Sequence, residues 1–285
     1  MSRRTLVLTT AALVAFAANS WLCRAALRAG AIDAASFTAV RLAAGAVVLF
    51  LLTRLRRAAE PETAPAGSWG SAAALFLYAI AFSFAYLALD AGVGALALFG
   101  TVQATLFVGG ILAGHRPSGR ELAGGAVAFA GLVALAAPGR SAPDSLALAG
   151  MVLAGVAWGI YSLRGRGATR PIVANADNFA RATPAALAAL ALAAALGPVH
   201  ALPRGLALAA ISGGITSGLG YAAWYAALPG LTPFGAGLAQ LSVPVLAAAG
   251  GVALLGESIS ARLVVSSALV LGGIGFALAR RDAPE

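Results

Sequence analysis

Leu255-Gly256-Glu257-Ser258-Ile259-Ser260-Ala261-Arg262 is a short polar knot set between two long apolar segments, Phe234–Leu255 and Leu263–Ala279. A related knot, Gly114-His115-Arg116-Pro117-Ser118-Gly119-Arg120, joins Ala91–Ala113 to Leu122–Ala137. Sliding the earlier copy forward by 142 positions lays Leu112 on Leu254, Gly114 on Gly256, Ser118 on Ser260, Arg120 on Arg262 and Gly131 on Gly273. Matched apolar residues carry little weight in a chain this rich in Ala, Gly and Leu. Matched Ser and Arg inside a polar knot carry more. Each half therefore reads as one copy of a repeated membrane unit, residues 1–140 and 141–285.

Composition supports this reading. Hydrophobic residues make up 60% of the 285, charged residues only 10%, and mean hydropathy is +0.90. That leaves too little polar surface for water, so the lipid bilayer is the expected solvent. Charges and prolines divide the chain into ten segments, roughly 5–23, 34–53, 69–89, 91–113, 119–137, 146–163, 178–197, 204–228, 234–255 and 261–279. Each is close to the ~20 residues a spanning helix needs, and none alternates as a barrel strand would. The fold class expected is an all-α integral membrane protein of ten transmembrane helices. With five helices per half, the second copy crosses the membrane in the opposite sense, giving two inverted five-helix repeats.

The net charge of +9 could point to nucleic acid, but every one of the 19 basic residues is Arg and most sit in short loops. With the N-terminus in the cytoplasm, the cytoplasmic segments hold twelve Arg and the opposite side five, Arg24, Arg28, Arg140, Arg204 and Arg262. The charge thus reports orientation, with both termini cytoplasmic and no nucleic acid as partner. Cys23 is alone, which excludes an internal disulfide and a thiolate metal site. Arg3-Arg4, an apolar run and Ala15-Phe16-Ala17 imitate a signal peptide, but cleavage would remove a helix answered by Leu146–Leu163 in the second half.

Few groups at membrane depth can do chemistry. His115 and His200 fall in loops, no carboxylate lies deep in a segment, and no G-x-x-x-x-G-K-[ST] sequence is present. The expectation is no enzyme, no cofactor and no metal. What remains is aromatic and weakly polar: Asn19, Tyr78, Phe82, Tyr86, Phe99, Gln103, Trp158, Tyr161, Tyr221, Trp224, Gln240 and Ser242. Tyr78, Phe82 and Tyr86 follow at i, i+4 and i+8 and share one face. A mid-membrane Tyr or Gln needs a hydrogen-bond partner, which turns that face inward. These twelve are the candidate substrate-binding residues. Four more are assigned to gating or structure: Arg41, which either snorkels to the outer headgroups or serves the pathway with Asp90 as its partner; Pro244, expected to kink its helix or expose a carbonyl; and Glu257, which with Ser260 should pin the last turn. Spacings of G-x-x-x-G at Gly110/Gly114, Gly155/Gly159 and Gly214/Gly218 would permit close helix approach.

The chain resembles the EamA family of the drug/metabolite transporter superfamily. The residues that carry the likeness are Leu255-Gly256-Glu257-x-Ile-Ser260-x-Arg262 with Gly272-Gly273, Gly155-Val-Ala-Trp158-Gly-Ile-Tyr161, Arg41 in Phe37-Thr-Ala-Val-Arg41, and Tyr86-Leu-Ala-Leu-Asp90. The first-half knot departs, with His115 where the family's Glu would stand. Within the family the pattern is most similar to YddG-type exporters of aromatic and other amino acids. The resemblance implies a location in the bacterial inner membrane and export of small amphiphilic molecules, most of all aromatic or hydrophobic amino acids, by alternating access through a central apolar cavity. A monomer is compatible with this. The alternatives weighed are a lipophilic-cation exporter of the same fold, a non-transporting scaffold, and a phosphate-ester carrier. The absence of Lys argues against the last.

Overall fold

In hydrocarbon a backbone must satisfy its own hydrogen bonds, and long Ala- and Leu-rich segments do so as helices. The computed structural model describes residues 2–56, 66–114, 117–137, 142–165, 170–227, 230, 239–240 and 242–278. Among the described residues the structure is helical, apart from one isolated bridge between Ile32 and Ala201. The helices are α1 Arg3–Arg28, α2 Ala34–Arg56, α3 Trp69–Ala85, α4 Ala91–Leu112, α5 Gly119–Ala136, α6 Ser145–Gly165 and α7 Pro171–Leu196. Next comes α8, in which Pro203–Ile211 passes through a π-helical stretch, Ser212–Leu219, into Gly220–Ala227. Ser242–Leu255 and Ala261–Leu278 are α9 and α10. Seven of these are long and apolar enough to cross a bilayer by length and composition, and three more apolar helices are shorter. His115, Arg116, the 57–65 linker, Arg140 and most of the turn from Pro229 to Pro233 lie outside the described residues.

The ten expected segments each meet a helix, with shifted ends. α1 begins after Ser2, whose side chain accepts from the Thr5 N–H, and runs on to include Arg24 and Arg28. α7 begins at Pro171, seven residues before the expected start, because a proline in the first helical turn surrenders no helical bond. Pro244 lies near the start of α9, with Ala239 and Gln240 also helical ahead of it.

The described residues of the two knots share two features. Gly114 and Gly256 take positive φ, 93° and 64°, a region that favours glycine. Four residues after each stands a serine that caps the next helix: Ser118 accepts from the Glu121 N–H, and Ser260 from the Leu263 N–H. Glu121 closes a capping box in the first copy, while the Leu263 position leaves the second with the serine alone.

Helix pairing repeats between the halves. α3 packs on α6 as α8 packs on α1; α4 packs on α6 as α9 packs on α1; and α2 on α7, α4 on α9, and α5 on α10 face each other. The α5–α10 seam is the tightest. A Cβ on Gly124 would lie 2.5 Å from the Gly273 carbonyl oxygen, and one on Gly273 2.6 Å from both the Gly124 oxygen and the Ala128 nitrogen. Gly131 meets Val270 on the same seam, so contacts rise along α5 as they fall along α10 and the pair is antiparallel. Gly155 and Gly159 seat α6 against Thr101 and Thr105 of α4, and Gly214 and Gly218 seat α8 against Val48 of α2. Outward faces are apolar, with Leu112 83% and Leu146 82% exposed, as lipid contact requires.

Asp33, just before α2, accepts from the Ser36 N–H (2.8 Å), the Ser36 hydroxyl (2.7 Å) and the His200 N–H (2.9 Å). Burial alone would raise its pKa, but these three donors outweigh it and hold the carboxyl below its ordinary value.

Three outcomes are expected. Gly273→Ala drives a methyl into backbone that cannot yield and should lower stability by about 1–3 kcal/mol, read as a lower Tm in detergent. Gly125→Ala, where a Cβ meets nothing within 4 Å, should leave the Tm unchanged. Asp33→Ala should cost about 1 kcal/mol at neutral pH. Because Asp33 is depressed in the fold, its contribution is whole above the unfolded carboxyl value of about 3.9. It vanishes as pH falls through the lower folded value, so the wild-type and Asp33→Ala melting curves should converge only in strong acid.

Candidate functional site

Aromatic side chains from both halves meet at the centre. Phe16 and Asn19 of α1, Tyr78 and Phe82 of α3, Leu98 and Phe99 of α4, Trp158 of α6 and Tyr221 of α8 line a narrow space with room for about one water molecule. Their rings form a continuous wall: Phe82 lies 5.5 Å from Tyr78, Tyr78 4.9 Å from Trp158, Trp158 5.0 Å from Tyr221 and Tyr221 5.7 Å from Phe16, centroid to centroid. The four-residue spacing of Tyr78 and Phe82 puts both on the inward face of α3.

Of the twelve expected substrate-binding residues, Asn19, Tyr78, Phe82, Phe99, Trp158 and Tyr221 line this space. Tyr86, Tyr161 and Trp224 stand behind the wall. Tyr86 sits edge-on to Phe82 and donates to the Ala91 carbonyl, Tyr161 stacks on Trp158 and bonds to Asn175, and Trp224 meets Phe16 edge-on. Gln103, Gln240 and Ser242 are half-buried and outside the lining. α4 buries its residues only as far as Val102, so Gln103 falls where the helix begins to emerge. Ser242 spends its hydroxyl on the Ala239 carbonyl. Phe16 and Leu98 join the lining without a sequence signal, since each is one apolar residue within a long apolar run.

A polar cluster borders the aromatic wall. Asn19 Oδ1 accepts from the hydroxyls of Ser212 (2.9 Å) and Ser217 (3.3 Å), with Thr216 also in hydrogen-bonding reach. The π-helical stretch is what groups these three, because its wider turn brings residues five apart into line. Glycine makes the approach to α2 possible, as a Cβ on Gly213 would collide with the Arg41 carbonyl. Arg41 itself is 1% exposed. Its Nη2 donates to the Tyr78 hydroxyl (2.9 Å) and its Nε to Ser217 Oγ (3.3 Å), and the guanidinium lies over the rings of Phe82 (4.9 Å) and Tyr78 (5.2 Å). Nη1 is buried and has no partner among the described residues.

The pairing expected between Arg41 and Asp90 is corrected by the structure. Asp90 takes Arg24 (3.1 Å), which also reaches Glu257 (3.3 Å) and the carbonyls of Tyr86 and Leu87 (3.1 Å each). Asp90 ends the turn after α3, beside the last turns of α1, whereas Arg41 lies two turns into α2 and is drawn inward by Tyr78. Glu257 also accepts from the Ala91 N–H, so the last knot is fastened to α1 and α4 at once. Burial raises the Glu257 pKa and the nearby Asp90 adds to this, against the Ala91 N–H and Arg24. Trp21 donates to the Ala247 carbonyl and Arg28 to that of Leu255, which extends the fastening along α9. At the opposite end of the bundle Asp177 accepts from the N–H groups of Ala66 and Gly67, Asn178 from that of Ser68, and Arg181 donates to the Gly67 carbonyl. No grouping of three His, Cys, Asp or Glu able to hold a metal occurs among the described residues.

Comparison with known proteins agrees with this architecture. Residues 145–279 match the EamA-like transporter family. An uncharacterized protein of Pseudomonas aeruginosa is 53% identical over 279 residues, covering 98% of this chain and 96% of its own. A solved crystal structure covers 97% of each chain with a TM-score of 0.64 at 20% identity, a likeness of fold alone. The chain carries a domain of the EamA-like transporter family at residues 145–279, within an all-helical fold whose long apolar helices are those of a multi-pass membrane protein.

Proposed function

We propose that the chain is two inverted five-helix repeats that export small amphiphilic metabolites, most of all aromatic or hydrophobic amino acids, across the bacterial inner membrane with both termini cytoplasmic. The observation that carries this is the unbroken aromatic wall around the central space, which draws Phe16, Tyr78 and Phe82 from the first half and Trp158 and Tyr221 from the second. A substrate seated between two halves is exposed to either side in turn when one half rocks against the other. The twin knots, the mirrored helix pairings and the antiparallel α5–α10 seam support the inverted repeat. The space is narrow here, so loading a substrate requires the halves to part.

The fastenings at the two ends fit gates. Arg24 with Asp90 and Glu257 would close the outer side, and Asp177 and Asn178 against residues 66–68 the cytoplasmic side. Alternating access needs one to release while the other holds. Arg24 is 8% exposed, so parting from its carboxylates leaves charges that must be rehydrated, which makes the opening a discrete step.

Transport of labelled phenylalanine in proteoliposomes tests the site. Tyr78→Ala, Phe82→Ala and Trp158→Ala should each weaken half-saturation about two- to tenfold, the worth of one aromatic contact. Gln240→Ala should be silent. Unchanged transport in all three aromatic variants removes the site assignment, and saturable efflux of lipophilic cations in place of amino acids replaces the substrate class. Cys23, buried in α1 beside Arg24, is a native reporter of the outer gate. Arg24→Ala should speed its reaction with a small thiol reagent severalfold; an unaltered rate would show that Arg24 does not hold that end shut.

A further inference from the structure

We infer that Arg41 is the recognition group for a carboxylate on the transported molecule, and hence that the cavity takes aromatic or apolar acids and amino acids and discriminates against the corresponding amines, amides and esters. This rests on the transport reading above.

The argument begins with charge. A guanidinium stays protonated under all physiological conditions, so Arg41 cannot escape burial by becoming neutral. Its side chain does not reach headgroups, since the residue is 1% exposed and two of its nitrogens are bonded inside the bundle. The groups it bonds or covers are the hydroxyls of Tyr78 and Ser217 and the rings of Tyr78 and Phe82, all uncharged. The carboxylates with described bonds are engaged elsewhere: Asp90 and Glu257 with Arg24, Asp33 with Ser36 and His200, Asp177 with the start of α3, Asp144 with the Ala147 N–H and Glu121 in its own capping box. The protein therefore buries a cation whose balancing anion it does not itself supply among the described residues, and leaves Nη1 of that cation without an acceptor. A buried charge of this kind is costly unless something pairs with it.

Position supplies the rest. The two rings that cover the guanidinium, Tyr78 and Phe82, are also two rings of the cavity wall. Arg41 is thus one side-chain layer from the substrate space. Since that space holds about one water, any aromatic guest must push the wall outward. Displacing Tyr78 and Phe82 uncovers Nη1 toward the guest. An aromatic body against Trp158 and Tyr221 and a carboxylate at Arg41 would then use both features of the site. The unpaired donor and the narrow cavity then answer to one guest.

The experiment compares phenylalanine, 3-phenylpropionate, phenylalaninamide and phenethylamine as substrates of the full-length protein in proteoliposomes. Wild type should carry the two carboxylates with half-saturation about 10- to 100-fold tighter than the amide and amine, the range of a hydrogen bond to a charged group. Arg41→Gln should lose that advantage, so that acids, amide and amine are handled alike, and Arg41→Lys should restore part of it. Selectivity is the readout that a purely structural Arg41 would not move. If Arg41→Gln fails to fold, the wild-type ratio and Arg41→Lys still decide the matter. Equal handling of acids and amides by wild type, or a selectivity unaltered in the variants, overturns the inference and leaves the transport reading standing. No movement of any of the four compounds by wild type removes the transport reading and this inference together.

Discussion

A cation that cannot be neutralised, enclosed in a bundle whose outer face is hydrocarbon, governs the centre of this protein. Arg41 is tolerable there only because Tyr78 and Ser217 accept from it and two aromatic faces lie against it. Those supports come from two helices, Tyr78 and Phe82 from α3 and Ser217 from α8, so the charge ties α2 to both halves of the chain. The aromatic wall and the polar cluster around Asn19 are organised about that tie. A neutral side chain at position 41 would relax the geometry of both.

Close packing is achieved by subtraction. Helices in lipid gain no hydrophobic drive from meeting one another, so they associate by van der Waals contact and a few hydrogen bonds. Gly124, Gly131 and Gly273 let α5 and α10 touch backbone to backbone, and Gly213 lets the π-helical part of α8 lie on α2. In the second case the close approach also shapes the candidate site. The wider π turn aligns Ser212 with Ser217, and the absent side chain at 213 brings that serine pair within reach of Asn19 and Arg41.

The two ends of the bundle are built from different materials. One end uses full charges, with Arg24 shared between Asp90 and Glu257. The other uses carboxylate and amide side chains on backbone N–H groups, from Asp177 and Asn178 to the start of α3. A charged fastening costs more to break and more to hydrate than one made to backbone. The charged end includes Glu257 of the last knot, where the sequence of the earlier knot has His115.

Hydropathy and the twin knots were enough to determine the number and rough placement of the helices, because the cost of an unsatisfied backbone in lipid leaves few other choices. Six of the twelve candidate site residues were legible for a related reason, since an aromatic or Asn deep in a spanning segment has to face inward. What the sequence did not disclose is set by pairs distant in the chain. Arg24 and Arg41 are both arginines in apolar helices, yet one meets Asp90 and Glu257 while the other meets only neutral groups, and nothing within either helix distinguishes them. Gln103 and Phe99 share a helical face, yet only Phe99 reaches the cavity, because α4 emerges from the bundle between them. Local composition fixed which segments enter the membrane and which side chains are costly there; the crossing of α2, α3 and α8 alone decided which of those costly groups would face one another.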